Sequence, residues 1–299
     1  QQKSRTCNDP TVKEECEHSF SNLSLIHYGQ YIDDHFTHLV NHTPPAFSDG
    51  YNSELMSLIR ELYTTYSLEL HHVKNQMRHV YLSSAIQPQY DDIESELTAL
   101  FLLHYRPTNI FEFSPSHGWS TLLILNAVNT YQGYTSESVQ MKSFDLEDMC
   151  TNSVAKYFPS LQEKDSLIRW SLLTGDVRDR FQTDFLSSDT DIDYLFIDSD
   201  HSRDFVLFYL EHLLTPLLRK LRQTGALMFV SVHDCFVDGL VTHEGAALHN
   251  FLTENGVKYF NPNNAAHQEE ISALREKADF STDNIHFVNN NPSIFFLLG

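Results

Sequence analysis

The feature that most constrains this chain is a change of pattern after Pro107, where short apolar segments begin to alternate with stretches of helical periodicity. The apolar segments predict strands over Asn109 to Phe113, Gln140 to Asp145, Ile168 to Leu173, Tyr194 to Asp198 and Ala226 to Val232. Strands separated by helix-length crossovers point to a parallel sheet covered by helices. The crossover before the last of them carries Phe205, Phe208, Tyr209, Leu213, Leu217 and Leu221 on one broad apolar stripe. Pro216 should bend or divide that helix, because it lacks an N–H and crowds the preceding turn, and Thr224-Gly225 should end it. The expected class is α/β, a doubly wound and mainly parallel sheet.

The flanking segments read differently. Leu55, Leu58, Ile59, Leu62 and Tyr66 recur at helical spacing from Ser53 onward, and Val73, Met77 and Val80 continue it after a break. A second amphipathic stretch places Ile93, Leu97, Leu100, Phe101 and His104 on one face and ends before Arg106-Pro107. These helices form an N-terminal cap, so the division is an irregular leader over 1–52, a helical cap over 53–106 and an α/β domain over 107–299. At the other end, Val257 to Phe260 is apolar and a helix falls near Glu269 to Lys277. Ile285 to Val288 and Ser293 to Leu298, joined by Asn289-Asn290-Asn291-Pro292, read as a hairpin.

Charge removes whole classes of partner. Lys and Arg number 20 against 40 Asp and Glu, a net charge of −20, which disfavours nucleic acid and anionic membrane surfaces. No run approaches the ~20 apolar residues of a membrane span. In the leader, the sequons Asn22-Leu-Ser24 and Asn41-His-Thr43 and the pair Cys7 and Cys16, read as a local disulfide, point to a secretory lumen or secretion, with the cytoplasm as the alternative. The chain begins at Gln1 rather than Met, so a signal peptide, an anchor or a simple cut is expected upstream.

The residues able to do chemistry collect at strand ends. Strand one leads through Glu112 and the small-residue loop Ser114-Pro115-Ser116-His117-Gly118 into a helix, the arrangement that cradles a nucleotide or cofactor in doubly wound sheets. Strand two ends at Asp145, where such folds hydrogen-bond a ribose diol, and strand three leads to Gly175-Asp176. Strand four ends in Asp198-Ser199-Asp200-His201-Ser202, and strand five in His233-Asp234-Cys235. No Gly-x-Gly-x-x-Gly follows strand one, which argues against a nicotinamide dehydrogenase. His71-His72 and His79 read as surface or interhelix residues rather than ligands.

Over roughly residues 90–260 these motifs resemble the class I S-adenosylmethionine-dependent methyltransferases. The Ile197-Asp-Ser-Asp-His-Ser202 stretch is similar to that of the branch containing macrocin-type, cephalosporin hydroxylase-like and rhamnosyl O-methyltransferases. The resemblance implies a seven-stranded, Rossmann-like methyltransferase fold. It implies that Glu112, Ser114, Ser116 and Gly118 hold the methionine end of S-adenosylmethionine, that Asp145 binds its ribose and that Asp176 faces its adenine. It further implies a divalent cation, Mg²⁺ or Mn²⁺, on Asp198 and Asp234 with His233, and proton acceptance by Asp198, Asp200 or His201.

The activity so implied is O-methyl transfer to a sugar hydroxyl of a glycan or glycoconjugate. A small polyhydroxylated or phenolic acceptor is the alternative, as is a methyltransferase-like module that has lost catalysis, suggested by serines where the loop usually has glycines. Self-association is left open.

Overall fold

The structure, a computed structural model, describes residues 52–83, 86–132, 138–163, 165–187, 191–198, 200–237, 240–262, 264–281, 284–286 and 293–299. The leader, with Asn22, Asn41, Cys7 and Cys16, lies outside them.

Helices come first: α1 (Ser53–Thr65), α2 (Ser67–Ser83) and α3 (Asp92–Tyr105). Asn52 caps α1 by accepting from the Leu55 amide, and Tyr66 interrupts the run where the spacing breaks. A reciprocal capping box starts α3: Asp91 accepts from the Glu94 amide, and the Glu94 carboxylate accepts from the Asp91 amide. Its end is set by Arg106, left-handed at φ 49° just before Pro107.

The alternating part follows as β1 (Asn109–Phe113), α4 (Trp119–Gln132), β2 (Val139–Asp145), α5 (Thr151–Tyr157), β3 (Ile168–Thr174), β4 (Tyr194–Ile197), α6 (Arg203–Tyr209), α7 (Thr215–Thr224) and β5 (Met228–Val232). A small antiparallel pair, β6 (Phe236–Val237) and β7 (Leu240–Val241), leads to α8 (His243–Glu254). The chain then forms β8 (Tyr259–Phe260), α9 (Ala265–Lys277) and β9 (Ile294–Leu298). Leu210–Leu214, between α6 and α7, is a π-helical turn. It meets the expectation for Pro216, which stands in the first turn of α7 where its missing N–H is tolerated. Gly225 closes α7 at φ 70°, its N–H bonded to the Leu221 carbonyl.

The sheet has seven strands in the order β3-β2-β1-β4-β5-β9-β8. Pairs from β3 through β5 are parallel, and β9 is antiparallel to both β5 and β8. This corrects the expected C-terminal hairpin. Both edges of β9 are already paired, so the run beginning at Ile285 has no edge to join. The Ile285 and His286 amides instead donate to the Asp92 carboxylate, and residues 287–292 lie outside the described set.

The two faces of the sheet bury separate cores. One packs α1 to α5 over Ile110, Met141, Tyr194 and Phe229. The other packs α6, α7 and α8 over Phe111, Phe113, Leu195 and Val230. The disulfide expectation is also corrected. Cys150 and Cys235 are free, buried thiols that pack within these cores as apolar groups, and no cysteine pair among the described residues is bridged. No described helix is long and apolar enough to cross a membrane.

Candidate active site at the carboxyl edge of the sheet

Strand order reverses between β1 and β4, so their crossovers diverge and leave a crevice beyond the carboxyl ends of the strands. Every strand-end motif singled out above arrives at this edge.

On the β1–β2 side, the Ser114–Gly118 loop is pinned to β2. The Ser114 amide donates to the Phe144 carbonyl at 2.7 Å and the Ser116 amide to Asp145 Oδ2 at 2.9 Å. Ser114 and Ser116 have φ of 57° and 47°, the left-handed region, where a side chain costs ~1–2 kcal/mol. These serines therefore adopt the backbone that glycine would take at lower cost. Gly118 is different: at φ 93° its missing Cβ would stand 3.0 Å from the Cβ of Cys150, so the loop closes onto α5 only with glycine there.

Glu112 lies fully buried beneath this loop. Its Oε2 accepts from the Thr121 and Ser143 hydroxyls, while its Oε1, Ser120 Oγ and Tyr90 Oη are buried without a hydrogen-bond partner. Burial pushes the Glu112 carboxyl up to about 7, against the hydroxyls that favour its charged form. Asp145 also accepts from the Leu146 amide, and the Leu146 side chain next to it is 71% exposed. Asp176 is not free: it is bound to the Arg178 guanidinium, which holds its carboxyl below the usual range.

These residues fit S-adenosylmethionine. Buried acceptor and hydroxyl atoms lacking partners stand under the loop, a carboxylate ends β2 beside an exposed apolar side chain, and open space surrounds Gly175. The departure from expectation is Asp176, whose carboxylate is turned to Arg178.

On the β4–β5 side, the pairing of Ile197 with Val232 continues one step as the His233 amide donates to the Ile197 carbonyl at 2.8 Å. That register sets Asp198 beside His233. His233 Nδ1 is 3.2 Å from Asp198 Oδ1 and 3.2 Å from Asp234 Oδ1. Its other nitrogen, Nε2, faces Glu94 Oε2 at 3.6 Å, and Tyr90 packs edge-on against the ring at 4.7 Å. Asp234 takes a left-handed φ of 52°, a conformation that aspartate tolerates better than most residues.

Asp198, His233 and Asp234 each offer a ligand atom within 4.8 Å of the others. Oxygen, oxygen and imidazole nitrogen suit a divalent cation of borderline hardness such as Mn²⁺ better than one that prefers oxygen alone. Nδ1 of His233 faces the two aspartates, while its buried Nε2 has no hydrogen-bond partner and lies 3.6 Å from the Glu94 carboxylate.

His201 completes the group. Its Nε2 is 3.3 Å from Asp234 Oδ2 and 3.6 Å from Asp198 Oδ1, and its Nδ1 meets Glu244 Oε2 at 2.5 Å. Glu244 Oε1 accepts from the Tyr209 hydroxyl at 2.7 Å. Burial alone would lower the His201 pKa, but hydrogen bonds to Asp198, Asp234 and Glu244 raise it to about 12. His233 is likewise raised by Asp198, Glu94 and Asp234 against its burial, and both aspartates are lowered by the histidines despite theirs.

Asp200 is not brought in. It is exposed, and its carboxylate accepts from the Ser202 amide and hydroxyl at the start of α6. Sequence reasoning missed Glu94, Tyr90, Tyr209 and Glu244. Only Glu244 had a local signal, an acid followed by glycine at a helix start just after strand five.

Residues 115–235 match the family model described as a methyltransferase domain. Over that span the chain is similar to a methyltransferase domain. That match spans the loop after β1 through the end of β5, and the sheet order places β9 antiparallel between β5 and β8. Curated proteins give no match to the chain. Among solved structures, the chain is similar to a putative O-methyltransferase from Klebsiella pneumoniae, at 12% identity and a TM-score of 0.43 over 77% of this chain and 89% of that one. It is similar also to an O-methyltransferase from Bacillus cereus in complex with S-adenosylhomocysteine, at 9% identity and a TM-score of 0.44 over 76% and 90%. A third is TomG of Streptomyces achromogenes, involved in tomaymycin synthesis, at 14% identity and a TM-score of 0.38 over 77% and 88%.

Proposed function

We propose that the protein transfers a methyl group from S-adenosylmethionine to a hydroxyl of a small polyhydroxylated or phenolic acceptor. The observation that carries this reading is the convergence of Asp198, His201, His233 and Asp234 at the strand-four and strand-five edge, next to the strand-one loop. Methyl transfer to oxygen needs an aligned acceptor and a place for its proton.

S-adenosylmethionine supplies the electrophilic methyl; Glu112 and the Ser114–Gly118 loop would hold its methionine end and Asp145 its ribose, with Asp176 on the adenine side. Asp198, His233 and Asp234 would hold a divalent cation, which supplies Lewis acidity to an acceptor oxygen. His201 Nε2 is the atom of this chain that holds or takes a proton at the site. Asp198, Asp234 and Glu244 favour the proton on its ring.

Calorimetric titration with S-adenosylmethionine tests the cofactor, and Asp145→Ala should weaken binding by about 1.5–3 kcal/mol. Equal binding by wild type and variant would assign Asp145 wrongly, and no binding by wild type would leave a module without catalysis. A panel of catechols, polyols, monosaccharides and glycans, followed by mass shift, tests the acceptor. Activity should fall with a chelator and return with Mn²⁺ or Mg²⁺ while cofactor affinity holds, and Asp234→Asn should mimic the chelator. Full turnover in excess chelator would remove the metal. A glycan acceptor goes with secretory residence, which a mass change on enzymatic deglycosylation at Asn22 and Asn41 would test.

A further inference from the structure

Glu244 is 1% exposed, and a buried carboxylate is costly unless its oxygens are hydrogen-bonded. Both are bonded here: Oε2 faces His201 Nδ1 at 2.5 Å and Oε1 accepts from Tyr209 at 2.7 Å. The surrounding backbone is shaped to bring it there. Thr242 caps α8 by accepting from the Gly245 amide at 3.1 Å, and its own hydroxyl donates to the Asp234 carbonyl at 2.9 Å. A Cβ on Gly245 would stand 2.2 Å from the Cys235 carbonyl oxygen, so only glycine lets the first turn of α8 press against the end of β5.

His201 has carboxylates on both sides. Asp198 and Asp234 face Nε2, and Glu244 faces Nδ1. A neutral ring has one N–H to give, and if it gave it to Asp234 the lone pair would point away from the crevice into Glu244, which can only accept. The shorter contact is the one at Nδ1, and its carboxylate is the buried one.

We propose that Glu244 is a positioning residue that acts through His201: it holds the Nδ1–H, with Tyr209 fixing its second oxygen, so that Nε2 is the nitrogen presented between Asp198 and Asp234. Whether the ring carries one proton or two, Nδ1 keeps one. The consequence for turnover rests on the hydroxyl-methylating reading above; the hydrogen bond itself does not.

The test begins with the full chain, free of ligand and labelled with ¹⁵N-histidine, its His201 ring signals assigned by their loss in His201→Gln. A slowly exchanging, strongly downfield Nδ1–H is expected in wild type, absent in Glu244→Gln and shifted in Tyr209→Phe. An Nδ1–H that exchanges freely with water in wild type, or one that survives Glu244→Gln, overturns the proposal. With any acceptor that turns over, Glu244→Gln should lower kcat about 10- to 100-fold and leave KM for S-adenosylmethionine within about twofold, with Glu244→Asp recovering part of the loss. On a His201→Gln background the same substitution should cost nothing further, and an equal loss on both backgrounds overturns the proposal. If Glu244→Gln does not fold, Tyr209→Phe serves both measurements. A chain without turnover on every acceptor would sink the proposed function and leave the spectroscopic result to decide this one.

Discussion

Glu112 shows what a single buried acid does to stability. Its carboxyl is raised from an ordinary glutamate value to about 7, chiefly by burial. A raised folded-state pKa means that the native chain binds the proton more tightly than the unfolded chain. The resulting stability is fully present below the unfolded pKa and is lost as pH rises through about 7. Between pH 5 and pH 8 the free protein should therefore lose up to about 3 kcal/mol through this residue. Glu112→Gln should be stabilised relative to wild type by a margin that grows over that range, read as the difference between urea midpoints at each pH. A margin that does not change with pH would mean that Glu112 keeps its charge in the fold. Cofactor binding should fall in the same variant, since the orphaned Oε1 is lost as an acceptor. Ser116, at φ 47°, makes the opposite point about the loop. Ser116→Gly should stabilise the free protein by about 1 kcal/mol, because relief of left-handed strain exceeds the entropy that glycine loses. A lower melting temperature in that variant would show that the serine side chain holds the loop more than it strains it.

At the scale of elements, the strand-to-helix junctions were the most legible part of the sequence. Apolar runs bounded by Glu112-to-Gly118, Asp145 and Asp198-to-His201 marked strand ends, and the helices between them followed from periodicity. The failures share one cause. Ile285 to Val288 and Ser293 to Leu298 looked like partners because local turn chemistry joined them, yet β9 found its neighbours in β5 and β8, far away in sequence. Pairing of that kind has no local signature. The first turn of α8 is similar: nothing near Gly245 in sequence announces the carbonyl of Cys235 against it. Gly245→Ala should force that turn outward, with a cost of about 1–3 kcal/mol in stability, and should separate Glu244 from His201. Thermal unfolding measures the first effect and the Nδ1–H resonance of His201 the second. An alanine variant as stable as wild type would mean that α8 can shift freely.

At the scale of the whole fold, a buried ion network joins the helices preceding the sheet to the connection between β8 and β9. Glu96, fully buried in α3, accepts from Tyr63 of α1 at 2.8 Å, Lys74 of α2 at 2.5 Å and Arg275 of α9 at 2.8 Å. Lys74 also lies 3.4 Å from Asp92, and Arg275 donates to the Asn284 side chain at 2.7 Å. Removing one member leaves an uncompensated buried charge, so Arg275→Met should cost about 3–5 kcal/mol. Replacing Lys74, Glu96 and Arg275 together by apolar residues of similar volume should restore most of it. Equilibrium denaturation of the single and triple variants decides the matter: a triple variant no more stable than Arg275→Met would show the network to be a net source of stability.

The sequence by itself determined the order and type of the core elements and placed Glu112, Asp145, Asp198, His201, His233 and Asp234 at one edge of the sheet. Those features are local: period, strand-end composition and turn residues are written in consecutive positions. Asp200 turns to Ser202 and Asp176 to Arg178 through contacts two residues apart, whereas tertiary structure alone decided that Glu94 and Glu244, far apart in the chain, stand behind the two histidines. A carboxylate's partner is whichever donor the packed fold brings within hydrogen-bond reach, and that distance is set by strand register, helix docking and the closeness that a glycine permits.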